Sequence, residues 1–247
     1  MWAYLKQPDA DPASGVGIGF TDRDGGVTPA AGTLSFGAVD GGPRARAENL
    51  RRLRADAGFS RVLTLHQVHS CQVHLVDEAF LARWDETAQP EGDALVAGPG
   101  LEGVALAVRA ADCVPVVLAD PVRRIIGAAH AGRAGVLGGI IPSTVAAMRD
   151  LGAVDLVAWV GPHIHGECYE VPAEMADAAA AVIAETRGTT RWGTPAIDLT
   201  AGVGAQLRAA GVEVAYVGPC TLTTPSLHSH RRDGAAAGRQ LGLIWLG

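Results

Sequence analysis

Short apolar runs bounded by glycine, proline and acidic residues dominate the chain, and each reads as a strand. They lie at Gly15–Phe20, Val62–Leu65, Val73–Val76, Gly92–Val96, Val104–Val108, Val114–Ala119, Arg124–Ala129, Val154–Val160, Val212–Val217 and Leu241–Leu246. Four stretches suit helices instead. Pro43–Ala57 has proline in its first turn and Gly58 just past its end. Val136–Leu151 contains Pro142, which predicts a kink or a later start at Ser143. Pro172–Arg187 is alanine-rich, and Asp198–Ala210 is capped by Asp198 and stopped by Gly211. The Gly/Asp-rich segment Asp22–Gly32 reads as a long loop. Strands outnumber helices, helices arrive at intervals, and several strands read as antiparallel neighbours. The pattern therefore predicts an α/β layered sandwich with mixed sheets rather than a purely parallel βαβ fold. No linker rich in Pro, Ser or Gly interrupts it, so residues 1–247 read as one domain.

The strands Val114–Ala119 and Arg124–Ala129 predict a hairpin turning at Asp120-Pro121-Val122-Arg123. If it is centred there, Cys113 faces His130 on one side of the sheet, and Asp112 points to the other. A longer turn would shift that register, because Pro121 cannot supply the positive φ of a type I′ turn. A thiol and an imidazole so placed can share one metal ion, can form a nucleophile and base, or can be satisfied core residues. The glycines that follow, Gly132, Gly135, Gly138 and Gly139, leave bare backbone where a ligand can approach.

Composition narrows the classes. At 247 residues, 48% apolar and 19% charged, the chain supports a large core without a disordered block. A net charge of −6 argues against a nucleic-acid binder working by phosphate neutralisation. No apolar stretch reaches the roughly 18 residues of a membrane helix, and no secretory signal opens the sequence. Cys71, Cys113, Cys168 and Cys220 are widely spread, which suits reduced thiols and a cytoplasmic location. Two further clusters offer metal-ligating residues. His66, His69 and His74 flank a turn, and His163, His165, Glu167 and Cys168 follow Gly161-Pro162; both compositions equally suit exposed turns. The Gly15–Phe20 run offers G-x-G but no βαβ unit follows, so it does not predict a dinucleotide site.

The motifs HQVHS, GDALV, AADCVPVVLAD, GAAHAG, VGPHIHGECYEV, CT and SHRRDG…GR occur in that order between Gly15 and Arg239. The chain thereby resembles the laccase-domain family, whose members are also described as multicopper polyphenol oxidases, purine nucleoside phosphorylases and peptidoglycan editing factors. The resemblance implies a four-layer α/β/β/α sandwich and one zinc ion held by His69, Cys113 and His130. It also implies two departures. The family's Gly-Trp-Arg-Gly after the second zinc histidine is Gly132-Arg133-Ala134-Gly135 here, and its Asn-Leu-Gly near the first loop is Ser35-Phe36-Gly37.

Zinc with three protein ligands keeps an open position and acts as a Lewis acid. The family implies phosphorolysis of adenosine, inosine and related purine nucleosides, and deamination of adenosine. Catalytic candidates are then Cys113, His130, Asp112 and Arg133, and substrate-binding candidates are Arg232 and His163. Phosphorolysis calls for an arginine on the phosphate, which Arg133 or Arg232 can supply; surface ion pairing is the competing reading of each. The alternative is a hydrolase of muramyl-peptide precursors using zinc-activated water or Cys113, with His130 as base. A polyphenol oxidase would need copper and many paired His-x-His motifs, and only His163-Ile164-His165 and His228-Ser229-His230 occur. A non-enzymatic metal-binding protein is the remaining reading. The partners expected are a purine nucleoside and phosphate, with no nucleic acid and no membrane.

Overall fold

The structure is a computed structural model, and it describes residues 1–8, 15–29, 33–37 and 41–247. The end of the expected Asp22–Gly32 loop lies outside the described residues. In chain order the strands and helices begin with β1 (Trp2–Lys6), β2 (Val16–Thr21), α1 (Gly42–Ala57), β3 (Arg61–Leu63), β4 (Val73–Leu75) and α2 (Glu78–Arg83). The middle holds β5 (Ala94–Ala97), β6 (Val104–Ala110), β7 (Val114–Asp120), β8 (Ile125–Ala131), α3 (Arg133–Gly138), α4 (Ile140–Asp150) and β9 (Val157–Val160). The last part holds α5 (Ala173–Val182), β10 (Arg187–Thr189), β11 (Pro195–Ile197), α6 (Leu199–Ala209), β12 (Glu213–Val217), α7 (His230–Asp233) and β13 (Gln240–Leu246).

Two mixed sheets form the body, in the orders β1-β2-β13-β6-β3 and β12-β9-β7-β8-β5-β4. Their central pairs are antiparallel, and parallel pairs sit toward the edges: β3 with β6, β4 with β5 and β12 with β9. Strand periodicity divides the side chains between three apolar clusters. Ile18, Phe20, Leu106 and Ile244 of the first sheet meet Val117, Ala119, Ile126 and Ala128 of the second. The outer face of the first sheet packs Ala105, Leu243 and Trp245 against Leu50, Leu53 and Ala57 of α1. The outer face of the second packs Val116, Leu118 and Ala129 against Ile141, Val145 and Met148 of α4 and Val203 and Leu207 of α6. The mixed α/β class expected from the pattern is what the structure has.

The β7–β8 hairpin forms, with a correction to its register. Paired residues are Asp120 with Ile125, Val117 with Ala128 and Pro115 with His130, so Gly132 rather than His130 falls opposite Cys113. The cause is the turn. Asp120 stays in the strand because its buried carboxylate accepts the backbone N–H groups of Arg123 (3.0 Å), Val154 (2.8 Å) and Asp155 (3.2 Å). The reversal is thereby pushed onto Pro121–Arg124, where Arg124 takes a left-handed φ of 55°. The displacement preserves strand parity, so Cys113 and His130 remain on one face as diagonal neighbours. That face is the one between the sheets, and the two residues stand at its end.

The stretch expected as one helix at Val136–Leu151 is two, α3 and α4, broken at Gly139 with φ 93°. Pro142 causes no kink, because it sits in the first turn of α4 where its missing N–H has no partner to lose. The helix expected to reach Arg187 ends at Val182, and the chain pairs β10 with β11 instead. Trp2–Lys6, the short Asp77-capped α2 and α7 have no counterpart in the sequence reading. No helix among the described residues is long and apolar enough to cross a membrane.

Candidate active site

His69, Cys113 and His130 come from three separate segments: the β3–β4 loop, the residue before β7, and the end of β8. Their ligating atoms all lie within 4.8 Å of one another. Cys113 Sγ is 3.7 Å from His69 Nε2, and the two imidazole rings lie edge to face with centroids 4.9 Å apart. His130 is buried, Cys113 is half-buried and His69 is exposed, so the group is open on one side. Gly132 makes the approach possible: a Cβ there would lie 2.4 Å from His69 Cδ2 and 3.2 Å from Cys113 Sγ.

Asp93 holds the group together. This fully buried residue accepts the backbone N–H groups of Val68 (3.2 Å), His69 (3.0 Å) and Ser70 (2.7 Å) and the Ser70 hydroxyl (2.8 Å). Its Oδ1 also lies 2.8 Å from His130 Nδ1. An ionised carboxylate only accepts, so Nδ1 carries the hydrogen and Nε2 is left for a ligand. The same bonds fix His69 at φ 60°, a conformation that non-glycine residues rarely hold without support. Burial pushes the Asp93 carboxyl up, but the bonds from His130 and Ser70 outweigh it and bring it down to about 2. Burial likewise pushes the Cys113 thiol up, and the two imidazoles beside it prevail, lowering it to about 6. For His130 burial lowers the ring, and Asp93 and Cys113 together raise it to about 9.

A borderline-soft divalent ion fits these donors. Tetrahedral bonds of ~2.3 Å to sulfur and ~2.0–2.1 Å to nitrogen would separate a sulfur and a nitrogen ligand by roughly 3.5 Å, close to the 3.7 Å between Cys113 and His69. The carboxylate behind His130 is the usual support of a metal-bound imidazole. Among the described residues this is the one group of His, Cys, Asp and Glu side chains that converges on a single point in this way.

The group stands at the wall of a cleft of about 620 Å³ that is also lined by His66, Gln67, Arg109, His230 and Arg239. Asp112, at φ 85°, is turned from the centre as expected: its Oδ1 accepts from the Thr221 hydroxyl (2.5 Å) and its Oδ2 from the Arg231 N–H (2.6 Å). Arg133 and Asp112 both line a smaller adjoining cavity. The structure does not bring Arg232 to the cleft. Its guanidinium donates to the carbonyls of Thr221 (2.9 Å) and Leu227 (2.6 Å) and to both Asp233 oxygens, pinning a loop. His163 is also spent structurally. It is fully buried, bonded to the Gly161 carbonyl and the Thr200 hydroxyl, and burial pushes its ring down to about 4. His165 bonds the Gly218 carbonyl and His74 the Glu91 carbonyl, so neither histidine joins the centre. Asp93 and Tyr169 escaped the sequence reading as site residues, while His230 entered it only within the His228-Ser229-His230 pair and the SHRRDG segment, and Arg231 only within that segment as the neighbour of Arg232. For Asp93 a signal existed, an acidic residue directly before a wholly apolar strand; for Tyr169 none did.

A sequence profile described as multi-copper polyphenol oxidoreductase laccase matches residues 17–247. The chain belongs to this laccase-domain family. It is 43% identical over 243 residues to a purine nucleoside phosphorylase of Streptomyces coelicolor, covering 96% of this chain and 98% of that one. It is 45% identical over 234 residues to one of Mycobacterium bovis, covering 92% and 90%. Two solved structures superpose on it closely. A Neisseria meningitidis protein has a TM-score of 0.79 at 33% identity, covering 98% and 97% of the two chains. YlmD from Geobacillus stearothermophilus has a TM-score of 0.82 at 29% identity, covering 96% and 94%.

Proposed function

We propose that this laccase-domain chain is a purine nucleoside phosphorylase that holds zinc at His69, Cys113 and His130 and cleaves adenosine- and inosine-type nucleosides with phosphate. The observation that carries the reading is the His–Cys–His centre, open toward a cleft of about 620 Å³, in a chain similar over nearly its whole length to proteins bearing that name. The cleft falls within the roughly 300–1,000 Å³ range of small-molecule sites. One thiolate and two imidazoles suit zinc; of the two His-x-His pairs, His163 and His165 are tied into the fold and His228 bonds the Leu34 carbonyl, which disfavours a multicopper centre. When bound, zinc supplies Lewis acidity to a substrate oxygen in the cleft. The protein's own part is to keep the centre shaped: Asp93 holds the Nδ1 hydrogen of His130 and the His69 backbone, and Gly132 leaves room for the sulfur.

The test is product analysis with inosine and adenosine, with and without inorganic phosphate, on protein of measured metal content. Free base together with ribose 1-phosphate, formed only when phosphate is present, is the expected result. Base release that ignores phosphate, or turnover of a muramyl peptide with no action on nucleosides, would overturn the reading. The same assay reports whether adenosine is also deaminated to inosine.

A further inference from the structure

Beside the cleft lies a second cavity of about 200 Å³, walled by Asp112, Cys113, Arg133, Ile164, Tyr169 and Arg231. Cys113 and His230 border both spaces, so the small cavity meets the large one at the candidate metal centre. Arg133 opens α3 three residues after His130, and Arg231 lies in α7, more than ninety positions later in the chain. Tertiary structure sets them around one ring: the Arg231 guanidinium lies over Tyr169, 5.3 Å from its centroid, and the Arg133 charge acts on the Tyr169 hydroxyl.

The two guanidinium groups line one small cavity with few of their donors engaged. Among the described residues neither has a carboxylate at ion-pair distance, although Arg23, Arg46, Arg123, Arg124, Arg187 and Arg232 all do. The acid on the same cavity, Asp112, has its oxygens occupied by Thr221 and by the Arg231 backbone, not by either guanidinium. Arg231 donates one N–H to the Glu170 carbonyl at 2.9 Å. Arg109 and Arg239 of the larger cleft also lack a carboxylate among the described residues, but each spends its donors on two partners, Arg109 on Leu65 and Gln89 and Arg239 on the carbonyls of Ala237 and Gly238. Two cations without carboxylate partners on one small cavity repel each other, and a small anion between them removes that cost. At about 200 Å³ the space is below the roughly 300 Å³ lower end of organic-ligand pockets, which selects a compact oxyanion over a nucleoside.

We propose that this cavity is the phosphate subsite, with Arg133 and Arg231 gripping inorganic phosphate while the nucleoside occupies the larger cleft. The proposal rests on the phosphorylase reading for its reaction and on the cavity alone for its ligand. In the reaction an oxygen of dihydrogen phosphate bonds to the anomeric carbon as the C–N glycosidic bond breaks. The electron pair of that bond leaves on the purine nitrogen, which takes up the proton the phosphate gives away. Guanidinium forks suit the phosphate oxygens, and their position fixes the attacking oxygen at the edge of the large cleft.

The experiment compares wild type with Arg133→Ala, Arg231→Ala and the milder Arg231→Gln. It uses metal-replete protein and reads metal content, equilibrium binding of inorganic phosphate by calorimetry, and separate KM values for phosphate and inosine. Each alanine variant should lose about 10–100-fold in phosphate affinity and in kcat/KM for phosphate, with metal content unchanged and KM for inosine within about twofold. Wild-type turnover that needs phosphate, combined with variants whose phosphate KM is unchanged, overturns the subsite and leaves the phosphorylase reading standing. Wild type that turns over no nucleoside with phosphate refutes that reading instead. In that event phosphate binding that disappears in both variants upholds the anion site, and its absence in wild type overturns it.

Discussion

Replacing Asp93 by asparagine removes one charge from the point where the candidate centre is built. The carboxylate receives five hydrogen bonds, three from the backbone of Val68, His69 and Ser70, one from the Ser70 hydroxyl and one from His130. An asparagine offers one oxygen, and its amide group turns a donor toward buried N–H donors. Breaking one partner of a buried charged network costs about 3–5 kcal/mol, a large part of a typical total of about 5–15 kcal/mol. With a urea slope of about 2–3 kcal/mol per molar, the unfolding midpoint of the metal-free variant should fall by roughly 1–2 M. Freed from its carboxylate, His130 also loses its fixed tautomer, so zinc affinity measured by chelator competition should drop about 10–100-fold. A metal-free variant within about 1 kcal/mol of wild type that also binds zinc equally well would refute the role given to Asp93.

Cys113→Ser should lose the one zinc ion per chain expected in wild type, as elemental analysis would show; stoichiometric zinc in the variant sinks the ligand assignment. Gly132→Ala pushes a methyl group to 2.4 Å from His69 Cδ2, so metal content should fall while circular dichroism keeps the folded signature. Arg232→Ala should lower stability by about 1–3 kcal/mol through its orphaned carbonyls, with KM for nucleoside and phosphate both unmoved; a selective rise in either would return Arg232 to the site. For Asp120, burial raises the carboxyl, and the N–H groups of Val154, Arg123 and Asp155 lower it by more. A folded-state value below the unfolded one adds stability above about pH 4 and loses it as pH falls further. Acid unfolding of Asp120→Asn should therefore begin from lower stability at neutral pH and fall less steeply below pH 4 than in wild type.

The central strands were legible in the sequence as short apolar runs bounded by turn residues, Val114–Ala119 among them, whereas β1, β10 and β11 were not. Cys113 and His130 keep one face only because the residue opposite Cys113 moves by two positions, from His130 to Gly132; a shift of one would have put them on opposite faces. That the turn could lengthen was legible in Pro121; the size of the shift was not, since it depends on Asp120 accepting N–H groups from Val154 and Asp155, about thirty-five residues away. Only tertiary structure could tell the arginines apart. Arg133, Arg231 and Arg232 are equivalent as letters, yet Arg232 is consumed by a loop and an adjacent aspartate, whereas Arg133 and Arg231 converge on Tyr169 across nearly a hundred residues of chain. The histidines divide in the same way. His69 is freed to ligate by Asp93 holding its backbone, and His163 is silenced by Gly161 and Thr200. A side chain's chemistry is set by which of its polar atoms the fold has already satisfied, and for His69 and His163 partners such as Asp93 and Thr200 lie far away in the chain.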